Sequence, residues 1–184
     1  MPEQFTALHS QALADLSTWT APSPPQEQMR ARMVETLRLD ATAMWRHHSR
    51  AHFTTSLVVV DADARRVALT LHAKAKRWFQ FGGHLEGGDA TLEAAALREG
   101  LEESGLADLR LLPGLLAVDI HALDGAFGWC TEHLDVRYVA VAGGESLTVS
   151  DESDDVRWFD VDALTGLRED FTDAADAAKE SAWA

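Results

Sequence analysis

Apolar residues recur every three or four positions near the start of the chain. Phe5, Leu8, Leu13, Leu16 and Trp19 predict a short amphipathic helix over residues 1–20. The proline-rich APSPP at 21–25 breaks it. A second helix is predicted from Gln26 to His47, with Met29, Met33, Leu37, Met44 and Trp45 along one side and Arg30, Arg32, Glu35 and Arg38 between them. Such a Met and Trp stripe suits core packing better than ligand binding. From Ala51 the pattern changes. FTTSLVVV (53–60) and VALTLH (67–72) are β-branched runs around the turn DADARR, and together predict a hairpin. Trp78-Phe79-Gln80-Phe81 is a short extended piece that leads into a glycine turn.

A helical period returns from roughly Thr91 to Ser104, where Ala94, Leu97 and Leu101 mark the face expected to be buried. Gly105 suits the left-handed position that ends such a helix. Leu115–Ala122 predicts a strand with Asp119 and His121 on one face. Residues 124–132 predict a loop, and His133–Ala142 a strand with His133, Asp135 and Arg137 on one face. Leu147–Asp155 is acidic and irregular, and Val156–Phe159 predicts a short strand. A short helix is expected from Asp162 through Leu167, and a terminal one over 169–184. Strands on both sides of one central helix, with another helix near the end, indicate an α/β (α+β) fold with a mixed sheet between helices. Residues 1–50 are then an N-terminal helical extension that packs on the core, and 51–184 the main domain.

Composition narrows the function classes. The chain has 184 residues and a formal net charge of −14. Proteins that grip a nucleic-acid backbone carry basic patches. Here the only basic cluster is Lys74, Lys76 and Arg77, which argues against binding duplex nucleic acid. A small phosphorylated ligand stays compatible, because bound cations invert local charge. No apolar run approaches the roughly 20 residues that cross a bilayer. The N-terminal MPEQFTALHSQALADL has neither the basic nor the apolar region of a signal peptide. A single cysteine, Cys130, excludes an internal disulfide framework, and the expectation is a cytoplasmic protein.

The chemistry concentrates in Gly82–Leu106, GGHLEGGDATLEAAALREGLEESGL. On a helix Glu99, Glu102 and Glu103 share one flank, with Arg98 at its margin. Three crowded carboxylates repel one another unless a cation sits among them. Hard divalent ions take oxygen ligands of this kind together with substrate phosphates.

This stretch resembles the Nudix box, whose C-terminal half reads R-E-U-x-E-E-x-G-U with U aliphatic. Arg98, Glu99, Glu102, Glu103, Gly105 and Leu106 fall in place. Gly100 stands at the first aliphatic position, Asp89 stands where Glu is expected, and the segment from Gly83 to Arg98 is one residue longer than the pattern. The resemblance extends over about residues 51–168, with ESDDVRWFDVDAL similar to the family's acidic loop and Trp-containing strand. It implies an α/β/α sandwich, with 51–184 as a Nudix hydrolase domain that splits a pyrophosphate bond in a nucleoside diphosphate linked to another group. It further implies that Glu99, Glu102 and Glu103 hold Mg²⁺ or Mn²⁺, that Arg98 orients a carboxylate, and that Gly82 or Gly83 offers a backbone carbonyl near the metal. The base is either Glu99 or Glu152. Lys74 and Arg77 are candidates to steer phosphates. His84, His121 and His133 are candidates for substrate contact, proton transfer or a second metal site. Many relatives dimerise, so a homodimer through the N-terminal helices is an expectation. Two alternatives are a non-catalytic nucleotide sensor on the same fold and an isoprenyl-diphosphate isomerase. The isomerase needs an active-site cysteine, and Cys130 is the only thiol.

Overall fold

The computed structural model describes residues 4–123, 129–164 and 169–182. Its helices are α1 (Gln4–Thr18), α2 (Pro24–Leu39), α3 (Leu92–Ser104) and α4 (Glu169–Ala182). Its strands are β1 (Ala51–Val60), β2 (Arg66–His72), β3 (Trp78–Phe79), β4 (Phe81–His84), β5 (Leu109–Leu111), β6 (Ala117–Ala122), β7 (Glu132–Ala142) and β8 (Ser153–Asp160). They form one eight-stranded mixed sheet with the path β3-β2-β1-β7-β5, while β4 pairs with β1, β6 with β7 and β8 with β2. The predicted α+β class is the one observed. Residues 124–128 of the predicted loop 124–132, and Leu167, lie outside the described residues.

Contacts divide the chain into two compact units. The first collects the chain up to Thr55, Gly83–Ala95 and Ala117–Arg137. The second collects Ser56–Gly82, Ala96–Leu116 and the chain from Tyr138 on.

In the first unit, α1 buries Phe5, Leu8, Ala12 and Leu16, one residue per turn, as an amphipathic helix must. The predicted second helix is shorter than its hydrophobic pattern. It begins at Pro24, where proline loses no helical hydrogen bond, and stops at Leu39 rather than His47. Asp40 takes an extended conformation (φ −136°) and its side chain accepts the Thr42 N–H at 2.8 Å. That cap starts a separate 3-10 turn, Ala41–Met44, which buries Ala43 and Met44. Helix α2 covers the outer edge of β6, where Gln26 Oε1 accepts the Val118 N–H at 2.8 Å. An edge strand covered in this way offers fewer unpaired groups to other chains.

In the second unit, β1 and β2 form the predicted antiparallel hairpin, with Val59 opposite Ala68. Asp61 closes it by accepting the N–H groups of Arg65 (2.8 Å) and Arg66 (3.0 Å), and Arg66 Nε returns to its other oxygen at 2.8 Å. Strand β8 begins at Ser153, three residues before the predicted start, because it pairs with β2 along most of its length. Strand β5 carries too few residues to signal in the sequence and is fixed by pairing with β7. Helix α4 lays Phe171, Ala174, Ala175 and Ala178 on a core of Val58, Val60, Val67, Leu69 and Val139.

The glycine at the aliphatic position of the box has a steric cause. A Cβ at Gly100 would stand 2.4 Å from Leu57 Cδ2 and 3.2 Å from Leu109 Cδ1. Leu57 is fully buried and has little room to move. Restoring the family's aliphatic residue with Gly100→Leu is therefore expected to destabilise the protein by about 1–2 kcal/mol, overpacking outweighing the better helix propensity. Urea unfolding checks it, and a variant more stable than the parent would contradict the close approach of α3 to Leu57.

Candidate functional site

Helix α3 starts where Thr91 Oγ1 accepts the Ala94 N–H at 3.0 Å, a side-chain cap. It ends at Gly105, whose φ of +66° suits glycine, and a Cβ there would meet Thr148 Cβ at 2.5 Å. The buried face differs from expectation. Leu92, Ala95, Ala96, Gly100, Glu103 and Ser104 are buried, whereas Ala94, Leu97 and Leu101 are only partly so. The helix is rotated towards its acidic flank, which carries one glutamate of the box into the protein.

Glu103 is 8% exposed and its Oε2 accepts the Gly82 N–H at 3.2 Å. Burial pushes its carboxyl up to about 8, the Gly82 N–H partly opposes this, and the charges of Glu99, Glu152 and Glu102 push further. Burial also raises Glu99, against the pull of Arg98. Arg98 NH1 donates to Glu99 Oε1 at 3.0 Å and to Glu102 Oε2 at 3.2 Å. Glu102 is the outermost of the three, its side chain 61% exposed. One guanidinium thus serves two carboxylates, and the third is held by a neutral backbone donor. Oxygen donors this crowded fit a hard divalent ion, which would replace the proton that Glu103 retains.

That proton has a measurable consequence. Between the ordinary value of 4.5 and about 8, folded Glu103 binds a proton that the unfolded chain has released. Stability of the metal-free protein should therefore fall as pH rises through this window and level off above it. A divalent ion that takes the carboxylate should oppose the fall. Thermal melts at about pH 5.5 and about pH 8.5, with and without Mg²⁺, check this. An identical pH response with and without the ion would count against metal binding at Glu103.

Glu152 is exposed just before β8, and its charge raises both Glu99 and Glu103, so the structure brings it towards the box glutamates. Its carbonyl accepts the Ala73 N–H at 3.2 Å. Lys74 and Arg77 are exposed on the turn between β2 and β3, and no ion pair among the described residues ties them to the carboxylates. Lys76 is engaged with Asp154 at 2.6 Å. Trp78 packs edge-on against Phe159, with ring centroids 4.8 Å apart, and so is a packing residue. Asp89 closes the glycine turn by accepting the Glu86 N–H at 2.7 Å. Gly83 lies on β4, one residue after Gly82.

In the first unit the candidate histidines converge on a fourth that the sequence did not single out. His84 and His133 stand around His52, which is fully buried near the start of β1. Ring centroids are 5.1 Å apart for His52–His84, 5.0 Å for His52–His133 and 5.3 Å for His84–His133. His121 faces His133 across the β6–β7 pair, with centroids 5.4 Å apart. Burial pulls His84 down to about 3 and His133 down to about 4, and neighbouring histidines lower both further. Burial also lowers His52. Beside them runs a polar chain. Thr54 Oγ1 donates to Asp135 (3.0 Å), Arg137 bridges Asp135 (3.0 Å) and Asp119 (2.8 Å), and Asp119 Oδ2 lies 3.0 Å from His121 Nδ1. Nothing in the sequence pattern of β1 distinguishes His52, because only strand pairing brings it to the others.

A family model described as NUDIX domain matches residues 51–183. No curated protein matches the chain. Among solved structures it is similar to a NUDIX-family hydrolase from Clostridium perfringens, at 27% identity and TM-score 0.51, covering 70% of this chain and 96% of that one. It is also similar to a C. elegans Ap4A hydrolase in a binary complex, at 15% identity and TM-score 0.54, covering 66% and 93%. A third is the NUDIX domain of Shewanella oneidensis NrtR complexed with ADP ribose, at 19% identity and TM-score 0.52, covering 74% and 92%. The last two likenesses concern the fold.

Proposed function

The chain belongs to the Nudix family, and from that premise we propose that it is a divalent-metal-dependent hydrolase cleaving a pyrophosphate bond in a nucleoside diphosphate linked to another moiety. The observation that carries this reading is Glu103, buried beside Glu99 and within reach of the charges of Glu102 and Glu152, with its carboxyl pushed up to about 8. A carboxyl so placed costs the protein stability above neutral pH unless a bound cation offsets its charge.

Glu99, Glu102 and Glu103 would hold Mg²⁺ or Mn²⁺. Such an ion neutralises phosphate charge and lowers the pKa of bound water. The chain's own residues do the rest. Arg98 fixes the spacing of Glu99 and Glu102 through its two hydrogen bonds. The Gly82 N–H holds Glu103 in one orientation. Glu152 is the candidate base: it is exposed and its charge is felt at Glu99 and Glu103, so it can accept a proton from water near them. Lys74 and Arg77 attract the anionic substrate from their exposed turn. Phosphoryl chemistry asks mostly for this kind of positioning and charge.

Dinucleoside polyphosphates and ADP-ribose, bound or hydrolysed by proteins of similar fold, are the first substrates to try. Residues 1–50 act as an extension on the catalytic domain 51–184, and the protein works in the cytoplasm, with the N-terminal helices as the homodimer surface. No described helix is long and apolar enough to cross a membrane. A hydrolysis screen over nucleoside triphosphates, dinucleoside polyphosphates, nucleotide sugars and ADP-ribose, with Mg²⁺ and Mn²⁺, tests the reading. Metal-dependent release of phosphate-containing products supports it. Calorimetric binding of a nucleotide without turnover in either metal would replace it with a sensor.

A further inference from the structure

We propose that His52, His84 and His133 form a binding site for a transition-metal ion of the zinc class, separate in donor chemistry from the carboxylates of α3. One ligand atom from each of the three imidazoles lies within 4.8 Å of those of the other two. Around a tetrahedral zinc ion, with Zn–N of about 2.0–2.1 Å, the nitrogens stand about 3.4 Å apart. Binding would have to draw the three nitrogens together by that difference.

His52 gives the strongest indication. Its Nδ1 lies 2.9 Å from the Ser49 carbonyl oxygen, which can only accept. Nδ1 therefore carries the proton, and in the neutral ring Nε2 is a bare lone pair. That atom is buried and has no hydrogen-bond partner among the described residues. A histidine kept only for packing would leave this acceptor desolvated and unsatisfied, where phenylalanine would fill the space without that cost. A metal-ligating histidine is commonly held this way, one nitrogen donating to a backbone carbonyl and the other facing the ion.

The neighbours fit the same reading. Asp119 at 3.0 Å from Nδ1 of His121 is a carboxylate that fixes the proton there and leaves Nε2 free to act. His121 stands opposite His133 and is the candidate fourth ligand. Against this reading stands one hydrogen bond: Arg46 NH1 donates to His84 Nδ1 at 3.2 Å, which places the neutral ring's proton on Nε2, so His84 ligates only once this bond breaks. Arg46 is exposed, so its side chain can turn into solvent when an ion arrives. Neutral imidazoles suit Zn²⁺, Cu²⁺, Ni²⁺ and Co²⁺, and hard Mg²⁺ prefers oxygen. The two ions expected of this protein therefore do not compete for the same donors.

The test uses the full chain stripped with a chelator. Zn²⁺ is titrated against a chromophoric competitor in millimolar Mg²⁺, and Co²⁺ is followed by visible absorption. The expected result is one Zn²⁺ per chain that Mg²⁺ does not displace, with Co²⁺ bands of a low-coordinate nitrogen site. Because His52 is fully buried, its replacement risks the fold, so His84→Asn and His133→Gln carry the test, with near-UV circular dichroism as the check on folding. Each should weaken Zn²⁺ by at least about 100-fold. Glu102→Gln should bind Zn²⁺ as tightly as the parent, which separates this site from the hydrolase reading. Zn²⁺ binding lost in Glu102→Gln, retained in the folded His84→Asn/His133→Gln double variant, or absent from the parent would each overturn the proposal.

Discussion

Glu103→Gln is expected to lower metal-dependent turnover by about 10²–10³-fold or more, the scale seen when one preorganised electrostatic group is removed, without loss of fold. The prediction rests on the state of the carboxyl in the metal-free protein. Glu103 is buried, retains its proton up to about pH 8, and accepts the Gly82 N–H. Glutamine has nearly the shape of that protonated acid and its amide oxygen accepts the same N–H. The metal-free variant should thus match the parent near pH 5.5, and lack the fall in stability that the parent shows up to about 8. What the amide cannot supply is the negative charge a divalent ion requires. Activity and stability should move apart: turnover collapses while the melting temperature holds or rises at alkaline pH. Glu102→Gln is the contrast. Its side chain is 61% exposed, so its pH–stability profile should follow the parent's while turnover falls. Full turnover in Glu103→Gln would remove this residue from the site. Normal turnover in both variants would remove the metal centre from α3.

The separation between what the sequence revealed and what it hid follows the range of the interactions involved. Arg98, Glu99, Glu102 and Glu103 were legible because a helix alone sets their spacing, and a metal site made from consecutive turns leaves a local signature. The hairpin of β1 and β2 was legible for the same reason. The burial of Glu103 was not. It depends on how α3 is rotated, and Gly100 allows that rotation by letting the helix approach Leu57. His52 was illegible because residues far apart in the chain meet it only after the sheet has formed. The second helix is shorter than its pattern predicts because the apolar stripe continues past Asp40, while the chain leaves the helix where the Asp40 side chain caps the following 3-10 turn through one N–H. Pattern reports burial well; it reports poorly where a single polar contact outweighs it.

Arg137→Met should destabilise the protein by about 3–5 kcal/mol, the range for breaking a buried ion pair by removing one partner. Arg137 and Asp135 are both buried, and their side chains are 8% and 5% exposed. Removing the guanidinium breaks this buried ion pair, while the Thr54 hydroxyl at 3.0 Å still donates to Asp135. The second arm of Arg137, to Asp119, adds less, because Asp119 is about one-third exposed and solvent screens it. Adding Asp135→Asn to Arg137→Met should recover part of the loss, because the penalty comes from keeping a buried charge that has lost its guanidinium more than from the missing attraction. A double-mutant cycle in urea measures this, and additive losses would show that the two residues do not act as a pair. The same arm steadies Asp119 beside His121, so Arg137→Lys, which keeps the charge and loses the planar fork, tests how far geometry matters. If the fork matters, the lysine variant should be less stable than the parent and more stable than the methionine variant. Equal stability of the lysine variant and the parent would reduce the role of Arg137 to charge alone.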